Sequence, residues 1–239
     1  QLVTIAELAA PLPVIANISD MNLRNVVALG QFAREIGLPG VAVMPPHFYP
    51  VSDADQLAFF LHVAERVQLP ALLYNFPELT GNRIAAGTIE GFAQRASMAG
   101  IKHSGGEFDY LPKLVELGQR HDFKVFSGAD TRLPEVAAAG AAGCIGGMVN
   151  FVPELMVDVF HRSATGRADE TIAMTRALVE IGEIVDQLTF PLNVAAGMQA
   201  RGLSWGAPKM VVSSSSLELF DQIVTALQSR YQAAGLSPV

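Results

Sequence analysis

A chain of 239 residues, half of them hydrophobic, is long enough to bury one sizeable core, and an α/β barrel of roughly 250 residues fits that length. Sixteen basic against 23 acidic residues give a net charge of −7 with no Lys/Arg cluster, which argues against nucleic acid or an anionic membrane as the main partner. Cys144 is the only cysteine, so an intrachain disulfide and a multi-cysteine metal site are excluded; without a membrane-length apolar run or signal-peptide zoning, the expectation is a soluble, cytoplasmic protein.

Residues 1–10 (QLVTIAELAA) have helical spacing and read as the tail of a helix entering the first strand. Six short runs rich in Val, Ile and Leu follow, at 13–18, 40–45, 71–76, 99–103, 123–127 and 143–147. They are near-continuously apolar, as strands covered on both faces should be. Between the first two, Leu23, Val26, Val27, Gly30 and Ala33 share one helical face; Ser19 or Asp20 is expected to cap its start and Gly37 its end. The same spacing predicts helices near 53–67, 87–96, 108–121 and 131–139. After Pro153 the strand signal stops, and helical patterns at about 153–164, 168–188, 191–201 and 216–234 form a C-terminal extension.

This alternation predicts an α/β fold, a TIM (β/α)8 barrel with a helical C-terminal extension. Residues 1–150 hold the six βα units, and 151–239 the closing helix and extension of the same domain. A barrel needs eight units, so two more are expected upstream of residue 1; periodicity alone leaves an open six-stranded sheet as the alternative.

In a barrel, reactive groups sit where strands end and loops begin. Of the four lysines only Lys102 ends an apolar strand, in Gly100-Ile101-Lys102-His103-Ser104-Gly105-Gly106. Lys113 and Lys209 fall in a helix and a late loop, and Lys124 begins a strand at the opposite, structural end. An amine among apolar strand residues loses hydration, which favours its neutral, nucleophilic form; the bland reading is a lysine whose head reaches solvent. Tyr74 ends the preceding strand in YNFPELTG, where a phenol can pass protons or merely pack.

Phe126-Ser127-Gly128-Ala129-Asp130-Thr131 and Gly143-Cys144-Ile145-Gly146-Gly147-Met148 end the last two strands. Glycines there, Gly128, Gly146 and Gly147, let backbone approach a ligand, and Asp130 and Thr131 can bond substrate hydroxyls. Ser104-Gly105-Gly106 can form an anion-holding nest. The five histidines show no metal-ligand spacing; His62, His121 and His161 lie in helical segments, while His47 and His103, at strand ends, are candidates to support the site.

Together YNFPELTG, GIKHSGG, SGAD and GCIGGMVNFVPEL, in this order and spacing, resemble the dihydrodipicolinate synthase / N-acetylneuraminate lyase family. The resemblance implies a class I Schiff-base mechanism, a homotetramer (dimer of dimers), a small keto-acid substrate, and neither metal nor organic cofactor. By position Lys102 resembles the imine-forming lysine and Tyr74 the proton-shuttling tyrosine. Gly146 matches the residue whose backbone faces the keto acid, Asp130 and Thr131 the readers of substrate hydroxyls, and Ser104 a hydroxyl near the imine.

Three departures refine this. The family's Gly-Thr-Thr-Gly-Glu carboxylate-binding segment does not occur, and by strand alignment it would precede residue 1. Leu79 stands where the synthases place a carboxylate-gripping arginine, a pairing leucine cannot make; Pro77-Glu78-Leu79-Thr80-Gly81 is more similar to the sugar-acid lyase and 2-keto-3-deoxy-acid aldolase branches, and Thr80 counts with the substrate-binding residues. In Pro45-Pro46-His47-Phe48-Tyr49-Pro50, His47 or Phe48 aligns with a tyrosine that reaches the neighbouring subunit.

The expected function is therefore reversible aldol cleavage through a lysine imine of pyruvate or a 2-keto-3-deoxy acid. The rivals are dihydrodipicolinate synthase, a sugar-acid dehydratase, a non-catalytic keto-acid-binding paralogue and, more remotely, a metal-dependent barrel enzyme.

Overall fold

The computed structural model describes residues 1–238, in two compact units, Gln1–Ser127 and a second beginning at Gly128. The first runs α1 (Leu2–Ala9), β1 (Ile15–Asn17), α2 (Leu23–Glu35), β2 (Gly40–Val43), α3 (Asp53–Val67), β3 (Ala71–Asn75), α4 (Pro77–Thr80), α5 (Ala86–Ala93) and β4 (Met98–His103). A 3₁₀ turn (Phe108–Tyr110), α6 (Leu111–His121) and β5 (Lys124–Ser127) complete it. Its five strands pair in parallel, each beside its predecessor, the arrangement that helical crossovers dictate.

Strand register sorts side chains onto two faces. One row runs Val43, Leu73, Ile101, Val125 across β2 to β5, each residue at most 4% exposed. Helix α6 packs on this face, with Gly118 so near Val125 that a Cβ would lie 3.1 Å from Val125 Cγ2. Phe60, Val63, Ile89, Phe92, Leu114 and Leu117 of the helices are buried with it, each such side chain worth roughly 1.5–3 kcal/mol. The neighbouring rows, on the other face, carry Leu72, Gly100 and Lys124, then Tyr74, Lys102 and Phe126.

Caps fix the helix starts, and one differs from expectation. Asn22, not Ser19 or Asp20, caps α2, its Oδ1 accepting the Arg24 amide at 3.0 Å. Asp20 is spent on the Asn22 amide at 2.7 Å and Ser19 Oγ on the Met44 amide at 2.9 Å. Ser52 Oγ caps α3 by accepting the Asp55 amide, with Asp53 and Asp55 in the first turn, where carboxylates oppose the helix dipole favourably. Gly37 follows α2 at φ 77 as expected. Strand β1 is shorter than 13–18, beginning after Pro13, a residue without an amide to donate.

The second unit holds α7 (Leu133–Ala138), β6 (Gly143–Cys144), a 3₁₀ turn (Met148–Asn150) and α8 (Pro153–Ala164). A second 3₁₀ turn (Ala168–Thr171), α9 (Ile172–Val185), α10 (Leu192–Ala200) and α11 (Ser214–Ala233) follow. The helix expected over 168–188 is thus divided, with Thr171 Oγ1 donating back to the Ala168 carbonyl at 2.6 Å. Phe151, Val152, Val159, Leu178, Ile181, Ala196 and Leu227 form its apolar centre. Arg201, 4% exposed, donates to the Phe151 carbonyl at 2.9 Å and to Glu154 Oε1 at 2.7 Å, and its guanidinium carbon lies 5.9 Å from the Tyr231 ring centroid. Burial pushes the Tyr231 phenol up, keeping it a donor to the Gly197 carbonyl at 3.3 Å. Among the described residues no helix is long and apolar enough to cross a membrane.

These contacts set the expected cost of simple substitutions. A Cβ at Gly100 would run into the Lys124 carbonyl of β5 and press Leu72 Cδ1 at 3.4 Å, so Gly100→Val should lower the urea unfolding free energy by about 1–3 kcal/mol. Gly87→Ala, whose added carbon meets nothing within 4 Å, should instead be neutral or stabilising by up to about 1 kcal/mol. Arg201→Met should cost about 2–3 kcal/mol in the same measurement, whereas Glu154→Gln, removing the half-exposed partner, should cost under about 1 kcal/mol.

Candidate active site

Tyr74 and Lys102 are register partners on adjacent parallel strands, so both side chains leave the same face of the sheet. Lys102 Nζ donates to Tyr74 Oη at 2.9 Å and lies 4.2 Å from the centroid of the same ring. Phe76 stacks on Tyr74 at 6.2 Å and 26°, which limits where the phenol can swing. Both partners are half-buried. A primary amine is a nucleophile toward a carbonyl carbon, and a phenol one hydrogen bond away can take a proton from that nitrogen or return one.

The next residues along, Asn75 and His103, are also register partners and turn to the opposite, buried face, at 0% and 3% exposure. Asn75 Nδ2 lies 3.0 Å from His103 Nδ1, Asn75 Oδ1 accepts the Ile84 amide at 2.9 Å, and His103 Nε2 lies 2.8 Å from the Glu107 carbonyl. The imidazole meets the Tyr110 ring edge-on at 5.6 Å. His103, expected at the strand end as support for the site, is therefore turned away from the amine.

The loops beyond the strands are tied by side chains that periodicity does not reveal. Asn82, 5% exposed, donates to the Pro46 and Tyr49 carbonyls at 2.8 and 2.7 Å and accepts the Val51 amide at 2.8 Å. This holds the segment that carries His47 and Phe48. Phe48 is 73% exposed with φ 81, a backbone position side chains rarely adopt, and meets Tyr49 edge-on at 4.8 Å. The Asn22 amide, then Asn25 and His47, hold the Asp20 carboxyl below its usual range.

Thr80 is buried, its hydroxyl bonded to the Phe76 and Asn82 carbonyls at 3.0 and 2.9 Å, so it shapes the turn after β3. Ser104 donates its amide to the Asn75 carbonyl at 3.0 Å. The expected anion nest at Ser104-Gly105-Gly106 is filled by the protein itself. The Gly106 amide donates to Glu78 Oε1 at 2.6 Å, and Gly105, at φ 104, leaves no room for a Cβ beside that carboxylate. Leu79 is 63% exposed on α4.

In the second unit the Asp130 carboxylate accepts the Gly147 and Met148 amides at 2.9 and 3.1 Å and lies 3.5 Å from Cys144 Sγ. A Cβ at Gly146 would overlap it, which explains a glycine there. These bonds turn the chain after Cys144, so β6 ends sooner than 143–147. Gly128 accepts the Asp130 amide through its carbonyl at 3.2 Å, and the Thr131 methyl faces Gly182 of α9. Among the described residues no three His, Cys, Asp or Glu side chains converge as a metal-ligating group.

Sequence reasoning overlooked Asn75, Asn82 and Glu78. A signal existed for the first, since asparagine is disfavoured inside an apolar strand and Asn75 ends β3 beside Tyr74.

Comparison with known proteins gives the family and the fold. The Dihydrodipicolinate synthetase family matches residues 2–229. A 4-hydroxy-tetrahydrodipicolinate synthase of Methanococcoides burtonii is 30% identical over 212 residues, covering 86% of this chain and 71% of that protein. Escherichia coli YagE, provisionally named a 2-dehydro-3-deoxy-D-gluconate aldolase, is 29% identical over 76% of this chain and 61% of its own. Its crystal structure in complex with pyruvate superposes with a TM-score of 0.84 at 25% identity, over 95% of this chain and 78% of that one. The dihydrodipicolinate synthase of Aquifex aeolicus shares the fold, with a TM-score of 0.87 at 22% identity over 95% of this chain and 78% of that one. The chain thus spans 61% to 71% of the length of these two curated relatives. On a match that covers nearly all of its residues, the chain belongs to the dihydrodipicolinate synthetase family.

Proposed function

We propose that this protein is a lyase of the class I aldolase type, in which Lys102 forms a Schiff base with pyruvate or a 2-keto-3-deoxy acid. The observation that carries the reading is the 2.9 Å contact of Lys102 Nζ with Tyr74 Oη across registered strands. Family membership and the pyruvate complex of YagE support it, as they support reading the parallel βα order as that of a (β/α)8 barrel.

The unprotonated amine attacks the keto carbon, and Tyr74 returns a proton to the carbinolamine oxygen so that water leaves and an iminium remains. In the iminium of a 2-keto-3-deoxy acid, the positive nitrogen draws the electron pair of the C3–C4 bond toward the imine carbon. That bond breaks, the phenolate takes the proton of the substrate hydroxyl, and an aldehyde departs. The enamine left on Lys102 is protonated at carbon and hydrolysed to free pyruvate, and condensation follows the same path in reverse.

For the partner aldehyde, Leu79 offers no cation and Glu78 brings a carboxylate to the same turn. This favours a neutral, hydroxylated aldehyde over one bearing a carboxylate, because an acid needs a charge-assisted pair there. It sets the sugar-acid branch before the synthase reaction. Phe48 and His47 are proposed substrate-side residues on the segment that Asn82 holds, with Thr80 and Ser104 shaping the turns after β3 and β4. For Gly128, Asp130, Thr131, Gly146 and Gly147 the family resemblance is the basis of the assignment.

Borohydride reduction in the presence of pyruvate, followed by peptide mass mapping, is expected to leave an adduct on the peptide containing Lys102 and none in Lys102→Met. Tyr74→Phe should fold normally and trap pyruvate roughly 10²–10³-fold more slowly. A folded protein that takes up no adduct, or takes it up equally in Lys102→Met, overturns the proposal.

A further inference from the structure

The buried face behind the amine carries a polar relay whose direction is set by backbone at both ends. The Ile84 amide can only donate, so Asn75 presents Oδ1 to it at 2.9 Å and turns Nδ2 toward His103 Nδ1 at 3.0 Å. The Glu107 carbonyl can only accept, so the imidazole proton stands on Nε2, 2.8 Å away, and Nδ1 is the acceptor for Asn75. Every bond of the relay is satisfied in this one arrangement, and an unmade bond at such burial is costly.

The ladder it spans changes register along its length. Near their starts, β3 and β4 pair Ala71 with Met98, but a register shift comes next, and from Leu72↔Gly100 onward the partners are displaced by one residue. Two registers therefore meet within a single strand pair. Had the first continued, Tyr74 would lie beside Ile101 and Lys102 beside Asn75, and the two reactive side chains would leave opposite faces of the sheet. Main-chain hydrogen bonds do not distinguish the two registers; the second alone sets Leu73 beside Ile101 in the buried apolar row and, at the strand ends next to the amine, Asn75 beside His103. The relay also anchors the segment beyond each strand, because Ile84 precedes α5 and Glu107 lies in the turn after β4.

We infer that His103, as the Nε2–H tautomer held between Asn75 and the Glu107 carbonyl, is a positioning residue that locks β3 and β4 in the register setting Lys102 Nζ against Tyr74 Oη. Its effect on catalysis rests on the Schiff-base reading of Lys102; its effect on register does not. No proton need pass through the relay, since it lies on the far side of the sheet from the amine.

Three measurements on the whole chain test this. In the unaltered protein, long-range proton–nitrogen correlation of the histidine rings should show His103 protonated at Nε2 alone. His103→Leu, which removes both bonds but stays apolar, should trap pyruvate at least about tenfold more slowly at saturation with little change in half-saturating concentration, as misplaced reacting groups do. His103→Asn, whose amide oxygen can still accept from Asn75, should recover most of that rate. Leu117→Ala, a core truncation in α6 away from the relay, should be destabilised yet trap at the normal rate. A crystal structure of His103→Asn should keep Nζ within hydrogen-bond reach of Tyr74 Oη, and one of His103→Leu should not.

Trapping by folded His103→Leu at the normal rate, equal slowing in Leu117→Ala, or a ring protonated at Nδ1 would each overturn the inference. If His103→Leu does not fold, the rate and structure of His103→Asn decide. Were the unaltered protein itself not to trap pyruvate, the imine reading would fall, while the ring tautomer and the Nζ–Oη separation in His103→Asn would still decide the claim about register.

Discussion

The meeting of an amine and a phenol at the strand ends depends on which residue of β3 lies beside which residue of β4. Side chains alternate along a strand with a period of two, so a displacement of one residue sends every group to the other side. In the observed pairing Tyr74 meets Lys102 and Asn75 meets His103. One row then carries an amine and a phenol on one face, and the next row carries a saturated polar pair on the other. The proposed reactive pair and the polar framework behind it occupy consecutive residues on opposite faces of the sheet.

Around this pair the unit divides its tasks by burial. The row Val43, Leu73, Ile101, Val125 lies under helices and supplies apolar stability. Polar side chains tie the segments beyond the strands: Asn82 holds the 46–51 segment, Thr80 the turn after β3, and Glu78 the glycines after Lys102. Arg83 adds an ion pair to Glu107 at 2.6 Å while lying 3.9 Å above the Tyr110 ring. Burial pushes the Tyr110 phenol up, so it remains a donor to the Ile84 carbonyl. Bonds of this kind limit the motion of the segments beyond the strand ends.

Much of this was legible in the sequence because it rests on period and punctuation. Helix α3 spans Asp53–Val67 as its spacing predicts, and β3 and β4 fall within one residue of the apolar runs at 71–76 and 99–103. The Lys102–Tyr74 pair was legible too, since both end such a run. The features that stayed hidden depend on contacts between distant residues. Four-residue α4 has no periodicity to read. The cap of α2 moved to Asn22 because Ser19 and Asp20 were already bonded elsewhere. The Gly105–Gly106 nest looked open because nothing local says that a carboxylate 28 residues upstream fills it. His103 read only as strand-end support for the site; that its ring turns toward Asn75, on the far side of the sheet from the amine, is a tertiary fact.

The proposed chemistry requires a carbon–nitrogen bond between Lys102 and the keto carbon of the substrate. Nuclear magnetic resonance of the protein carrying ¹⁵N at its lysine side chains, mixed with pyruvate labelled with ¹³C at the keto carbon, observes that bond without any trapping reagent. One coupled imine pair is expected, assigned to Lys102 by its disappearance in Lys102→Arg. A spectrum containing only free ketone and hydrate beside a folded protein, or a coupled pair that persists in Lys102→Arg, would contradict it.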